Sequence, residues 1–353
     1  MKTKCNIVEI GNTQTLLNRS SRGCRLWILL KQLWNRGYFL MVPRCSWGFN
    51  DSFHWFRSGE KSVNWFVRYR AKIFISMSLL GLVVLANIVF MKQDPYQWLY
   101  TLPKPWTLSP DEVTEILPRF QQHFPDFQER LKAFAIWRVG TPYEIFKLGE
   151  EIAPDPDPLI RLDVSDCTAH VLTTLAFAQS NSWQEARQNM IRIHYKPDGS
   201  GRKIPTYKTR WHFTADRITA NPYTVNITDS LLAADKLAAV KITLNQEADG
   251  SEFLPLDWTR AVELKYIPND QITPELMKRL PDVCGVAFVK KSYFKKGIFF
   301  GHEGMIIDRQ ELIHASQSVG KTARVDFLDY YFSSSGPIFD GIMIYKFVPF
   351  SSH

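Results

Sequence analysis

A cysteine and two histidines are spaced as a thiol-dependent acyl transfer needs them. Cys167 stands in Asp163-Val164-Ser165-Asp166-Cys167-Thr168-Ala169-His170; far downstream come His302 in Gly301-His302-Glu303-Gly304 and His314 in Leu312-Ile313-His314-Ala315-Ser316. After the cysteine, Val171, Leu172, Leu175, Ala176 and Ala178 form an apolar stripe of helical period, and Ser165 or Asp166 is a natural N-cap. The sulfur is therefore expected in the first turn of a helix. There the macrodipole and free N–H groups favour thiolate over thiol and lower the pKa. Acyl transfer needs such a nucleophile, an imidazole that takes its proton and later protonates the leaving amine, and a polar group that fixes the imidazole tautomer. Cys167, His302 and His314 fill those roles in that order, with the N–H groups at the helix start as oxyanion donors.

The histidines must share a face for this to work. Gly301 to Ile307 and Glu311 to Ser316 flank Asp308-Arg309-Gln310, which reads as a three-residue hairpin loop. In that register Ile307 pairs with Glu311 and Gly304 with His314, so His302 and His314 become diagonal neighbours on one face, roughly 7–8 Å apart at the backbone. A loop one residue longer or shorter would turn them to opposite faces. Gly304 opposite His314 leaves room for the imidazole to lean toward His302.

The elements that must hold these groups follow from the rest of the chain. The formal charge of +8 is uneven: residues 1–72 hold 13 of the 43 Lys and Arg and 3 of the 35 Asp and Glu, leaving 30 against 32 in the remainder. The body is close to neutral, which excludes a nucleic-acid footprint there. Residues 1–72 carry five Trp and no sustained periodicity, and read as a basic, poorly structured cytoplasmic extension or an unused upstream start. Residues 73–91 are 19 residues without a charge, long enough to cross a hydrocarbon core of about 30 Å. Arg68, Arg70 and Lys72 precede them, so the positive-inside rule puts everything after Lys92 on the far side of the membrane. Of five cysteines, Cys5, Cys24 and Cys45 lie in the extension. Cys167 and Cys284 alone would be exported, and Cys284 reads as inert packing in an apolar strand.

Residues 92–108, with Pro95, Pro103 and Pro105, read as a linker, and 109–350 as the catalytic domain. Helices are expected over about 110–121, 127–137, 144–151 and 183–194, and a short strand over 159–162 leads into the cysteine helix. From about 252 onward β-type runs dominate: 261–266, 285–290, 298–307, 311–314, 323–327 and 341–347. Helices followed by an antiparallel sheet make an α+β fold. No motif calls for a cofactor or metal: five histidines, His170, His194, His212, His302 and His314, offer ligands, yet HExxH spacing is absent.

Asp166-Cys167, Gly301-His302-Glu303-Gly304-Met305-Ile306 and Leu312-Ile313-His314-Ala315-Ser316 resemble the papain-like, NlpC-type cell-wall cysteine hydrolases. Gly140-Thr141-Pro142-Tyr143, Asp163-Val164-Ser165-Asp166-Cys167-Thr168 and Tyr207-Lys208-Thr209-Arg210-Trp211-His212-Phe213 resemble, within that group, the N-acetylmuramoyl-L-alanine amidase-like branch. The resemblance covers roughly residues 110–348. It implies a nucleophile helix packed on an antiparallel sheet, with peptidoglycan or muropeptides as partners. It also implies cleavage of the amide between N-acetylmuramic acid and the L-alanine of the stem peptide, or of another stem-peptide amide; the stretch 73–91 would put that activity on the periplasmic or extracytoplasmic side of the inner membrane. Tyr143, Asp166, Tyr207, Arg210 and His212 then become candidates for substrate binding, with Arg210 suited to a stem-peptide carboxylate. A zinc amidase, an acyltransferase and a non-catalytic wall-binding module on the same fold are the alternatives.

Overall fold

The computed structural model describes residues 94–350. The charge-free stretch 73–91, the extension before it and Cys5, Cys24 and Cys45 lie outside the described residues. No described helix is long and apolar enough to cross a membrane.

Four helices of 11 to 14 residues open the fold. Helix α1 (Pro110–His123) starts at a reciprocal capping box: the Ser109 hydroxyl accepts from the Glu112 N–H while the Glu112 carboxylate accepts from the Ser109 N–H. Helix α2 (Phe127–Trp137) is capped by Asp126, α3 (Cys167–Phe177) by Asp166 and α4 (Trp183–His194) by Ser182. The segment expected to be a linker is part of the folded body from residue 94. Tyr96, Leu99 and Leu102 are buried, and Trp137 Nε1–H donates to the Pro103 carbonyl.

Two local expectations fail between α2 and α3. Residues 144–151 form a loop, because Phe146 and Glu151 adopt φ of 57° and 63°, outside the right-handed helical region. The backbone there pairs across the loop, Gly149 N–H with the Pro158 carbonyl and Glu150 N–H with that of Asp155. Residues 159–162 form bends rather than a strand.

The sheet has six strands in the order β1–β10–β4–β5–β6–β7, every neighbouring pair antiparallel. They are β1 (Thr224–Asn226), β4 (Val283–Val289), β5 (Phe300–Ile307), β6 (Glu311–Ser316), β7 (Lys321–Asp326) and β10 (Ile342–Phe347). A separate ribbon pairs β2 (Ala238–Leu244) with β3 (Arg260–Tyr266), and β8 (Phe332–Ser333) pairs with β9 (Gly336–Pro337). Strand alternation divides the core. Met305, Ile307 and Ile313 face the cluster built on Leu172, Phe134 and Phe177 of the helices. Ile306, Leu312 and Cys284 join a second cluster with Phe288, Phe327 and Tyr331. Strands β1 and β2 and helix α5 (Thr214–Ala220) fall where the sequence offered no clear period. The fold is α+β, with the cysteine helix packed on β5 and β6 of an antiparallel sheet.

Candidate active site

Cys167 is the first residue of α3, as its spacing implied. The Asp166 carboxylate caps the helix, its Oδ1 accepting from the Ala169 N–H at 2.8 Å while Oδ2 accepts from the Phe146 N–H at 2.9 Å. Both oxygens of Asp166 thus hold protein backbone, so it scaffolds the nucleophile's helix and a neighbouring loop.

The hairpin has the three-residue loop. Ile307 pairs with Glu311 and Met305 with Ile313. Asp308 and Arg309 take the left-handed conformation, φ 54° and 57°, that lets three residues reverse the chain. A Cβ added to Gly304 would come within 3.0 Å of His314 Cβ. A methyl there would require Leu312 and His314 to give way. The rings meet: His302 Nε2 and His314 Nδ1 are 2.7 Å apart, sharing one proton. His302 uses Nε2 for that bond, so its Nδ1 is the nitrogen left for the sulfur. Phe288 and Phe339 stack on His302 at ring separations of 5.4 and 6.2 Å, and Tyr330 lies 4.6 Å from His314.

Cys167 and His302 line one cavity of about 710 Å³, together with Tyr143, Glu303, Ala315 and Gln317. The regular β5–β6 pairing runs from Glu311 to Ile313 on β6, and the cavity lies against the strands beyond it. Burial raises the hydroxyl pKa of Tyr143 and that of Tyr330, the latter to about 12, and a thiolate at Cys167 would add to both.

The electrostatics reverse one expectation. The Cys167 thiol is pushed up to about 12, first by burial and then by the nearby Asp166 and Glu303 carboxylates. The Glu303 N–H and the Thr168 hydroxyl favour the thiolate but act more weakly. The sulfur is enclosed on most sides while keeping an opening to the cavity. Desolvation and two like charges outweigh the helix start, which supplies at most about half a charge. Burial also lowers His302 to about 4, and burial with the charge of His302 lowers His314 to about 3. At rest the cavity therefore holds a neutral thiol and a neutral imidazole.

Glu303, which the sequence reading left without a role, binds the two halves of the site together. Its carboxylate, 1% exposed, accepts from the hydroxyls of Thr168 at 2.7 Å, Thr214 at 3.1 Å and Tyr345 at 2.7 Å, and pairs with Arg217. Thr168 follows the cysteine and Glu303 follows the histidine, so this cluster ties α3 to β5 one residue beyond each. A second buried cation, Arg138 at the C-cap of α2, donates to the His170 carbonyl and to Thr174 and Ser165, bracing the cysteine helix and the residue pair before it.

The remaining candidates all line the cavity, with different duties. Arg210 donates Nε–H to Glu150 at 2.6 Å and Nη2–H to Asp155 at 2.8 Å, with its side chain only 12% exposed. Its charge is already paired inside the protein, and it braces the cavity wall between Glu150 and Asp155. His212 Nε2 lies 2.6 Å from the Tyr207 carbonyl, and burial lowers its pKa to about 4. Tyr207 and Tyr143 keep exposed surface on the cavity. Cys284 is fully buried on β4, and both described cysteines are free thiols. Among the described residues no three His, Cys, Asp or Glu converge on a point that could hold a metal ion.

Known proteins share this architecture. A Legionella pneumophila protein of solved structure is 20% identical with a TM-score of 0.56, the match covering 68% of this chain and 94% of that one. An N-acetylmuramoyl-L-alanine amidase from Bacteroides uniformis is 18% identical with a TM-score of 0.50, over 63% of this chain and 99% of that one. At these identities the likeness is one of fold. No curated protein matches the sequence. A family model does: residues 134–336, more than half the chain and the stretch that holds Cys167, His302 and His314, match the AmiA-like family described as N-acetylmuramoyl-L-alanine amidase-like, and the chain belongs to that family.

Proposed function

We propose that the protein is a cysteine amidohydrolase of the papain-like, NlpC-type group that cleaves peptidoglycan at the amide between the lactyl carboxyl of N-acetylmuramic acid and the L-alanine of the stem peptide. The single observation that carries this reading is the His302–His314 hydrogen bond at a cavity shared with Cys167, inside the family-matched stretch. Residues 73–91 anchor the chain in the inner membrane and put the cavity on the extracytoplasmic side, where wall peptides are within reach.

In this mechanism the neutral thiol is deprotonated as it attacks. His302 Nδ1 takes the Sγ proton while sulfur adds to the lactyl carbonyl carbon. The oxyanion accepts from the Cys167 N–H, which precedes every intrahelical acceptor, and from the Tyr143 hydroxyl on the same wall. The C–N bond then breaks, and the imidazolium returns its proton to the departing alanine amine. A muramoyl thioester remains on Cys167. Water, deprotonated by His302, attacks the thioester carbonyl; the carboxylate leaves and the thiol is restored. His314 holds His302 in one tautomer throughout.

The test uses the full chain in detergent with purified peptidoglycan and muropeptides, beside Cys167→Ala and an EDTA-treated sample. Release of free stem peptides with N-terminal L-alanine, identified by mass spectrometry, is expected from the parent and not from Cys167→Ala. Turnover persisting in Cys167→Ala would sink the thiol mechanism, and cleavage at another amide would move the scissile bond.

A further inference from the structure

Phe146 combines two features that folding alone does not reward. It is a bulky aromatic at φ 57°, a region disfavoured for such a side chain, and the residue is 78% exposed. Strain of this kind persists only where the surroundings over-determine it. Here they do: the Phe146 N–H is held by Asp166, the carboxylate that also caps the nucleophile's helix. Phe146 does not stand alone. Of the eight exposed large apolar side chains among the described residues, three, Ile145, Phe146 and Tyr293, line the cavity of Cys167.

We propose that Phe146 is a stacking platform for a pyranose ring of the substrate's glycan; this rests on the reading of the cavity as a muramoyl amidase site. The acyl half of that substrate is a sugar, whose flat C–H face suits an aromatic ring and whose hydroxyls need polar neighbours. Gln317, exposed on the same cavity, offers such groups. An apolar peptide side chain laid there would strip them of water without replacing it. Through Asp166 the platform is fixed to the first turn of α3, so a stacked sugar is registered against the sulfur that must reach its lactyl carbonyl.

The backbone bond to Asp166 does not depend on the Phe146 side chain, which makes glycine a clean probe. Phe146→Gly suits φ 57° and keeps the N–H, so it removes the ring without disturbing the cap. Binding of a peptide-free glycan oligomer of alternating N-acetylglucosamine and N-acetylmuramic acid is measured by calorimetry on the full chain carrying Cys167→Ala. Adding Phe146→Gly is expected to raise Kd about tenfold with the thermal midpoint maintained, while Phe146→Trp keeps Kd within about threefold. An unchanged Kd, no binding by the Cys167→Ala parent, or unfolding of Phe146→Gly would overturn the platform. Turnover of muropeptides by the chain with Cys167 intact separates the two readings: cleavage while Kd ignores Phe146 defeats the platform alone, and no cleavage while Kd rises defeats the amidase reading alone.

Discussion

Glu303→Gln tests whether the buried cluster positions the site as well as stabilising it. The substitution keeps shape and removes the charge opposite Arg217, which is wholly buried and takes its carboxylate partner from Glu303. Stranding one member of a buried pair costs about 3–5 kcal/mol, a large part of the roughly 5–15 kcal/mol that holds a domain together. Chemical denaturation is expected to show that loss. The same change acts on the nucleophile. Glu303 is one of the two carboxylates that hold the Cys167 thiol up, so its neutralisation lowers the thiol pKa from about 12. Peptide-resolved mass spectrometry of iodoacetamide labelling against pH reports this at Cys167, apart from Cys5, Cys24, Cys45 and Cys284 in the same chain. The double variant Glu303→Leu with Arg217→Met removes both charges and is expected to recover only part of the stability, because the Thr168 and buried Tyr345 hydroxyls lose their acceptor; without that hold on Thr168 a lowered kcat is expected. A stability loss under about 1 kcal/mol in Glu303→Gln, with labelling unmoved, would show that the buried carboxylate neither holds Arg217 nor acts on the sulfur.

Other outcomes follow from the same geometry. His314→Ala removes the partner of His302 Nε2 and is expected to lower kcat by about 10²-fold or more with KM little changed, read by steady-state kinetics. Gly304→Ala drives a methyl to 2.8 Å from Leu312 Cδ1 and 3.0 Å from His314 Cβ; a loss of about 1–3 kcal/mol by denaturant titration and a fall in kcat are expected. Because His302 titrates near 4 and the thiol near 12, kcat/KM is expected to stay flat from about pH 5 to 9 and to fall below as protonation removes the base. A bell centred on neutrality would instead indicate a preformed ion pair. The buried, lowered histidines His170, His194 and His314 protonate in the unfolded chain near pH 6.5 but not in the folded one. Stability is therefore full above that pH and lost as pH falls, by up to about 1.4 kcal/mol per pH unit for each, which thermal melts between pH 7 and 5 would register.

What the sequence disclosed was whatever depends on neighbours along the chain. Helix starts at Ser109, Asp126, Asp166 and Ser182 are written in their caps, and the face shared by His302 and His314 is written in a loop of three residues. What it concealed depends on distant partners. Arg210 looks free in the sequence because Glu150 and Asp155, which neutralise it, stand 60 and 55 residues upstream. The loop around Phe146 looks helical until its bonds to Asp166 and to the turn at Asp155 are known. Glu303 did leave a trace: an acidic residue within the apolar run Phe300–Ile307 must find partners or carry a large desolvation cost. Its partners Thr168, Arg217 and Tyr345 lie 135, 86 and 42 residues away, which no local pattern reveals.

The thiol illustrates how a local rule is overruled by packing. A helix start does favour a thiolate, and Cys167 has one, but that contribution fades within a turn and is small beside desolvation in a cavity wall. The carboxylate best placed to cap the helix, Asp166, is itself a like charge beside the sulfur. The cap that makes the helix thus works against the ionisation the helix would promote. A neutral resting thiol has a chemical use in a proposed hydrolase of exported wall polymers, because thiol oxidation and adventitious alkylation both proceed through the thiolate. Reactivity then depends on a substrate whose binding brings His302 and the developing charge into play together. The alkylation profile measures that directly: in the parent, labelling of Cys167 should remain slow through pH 9, and rapid labelling at pH 7 would mean that the helix start, rather than burial, governs the sulfur.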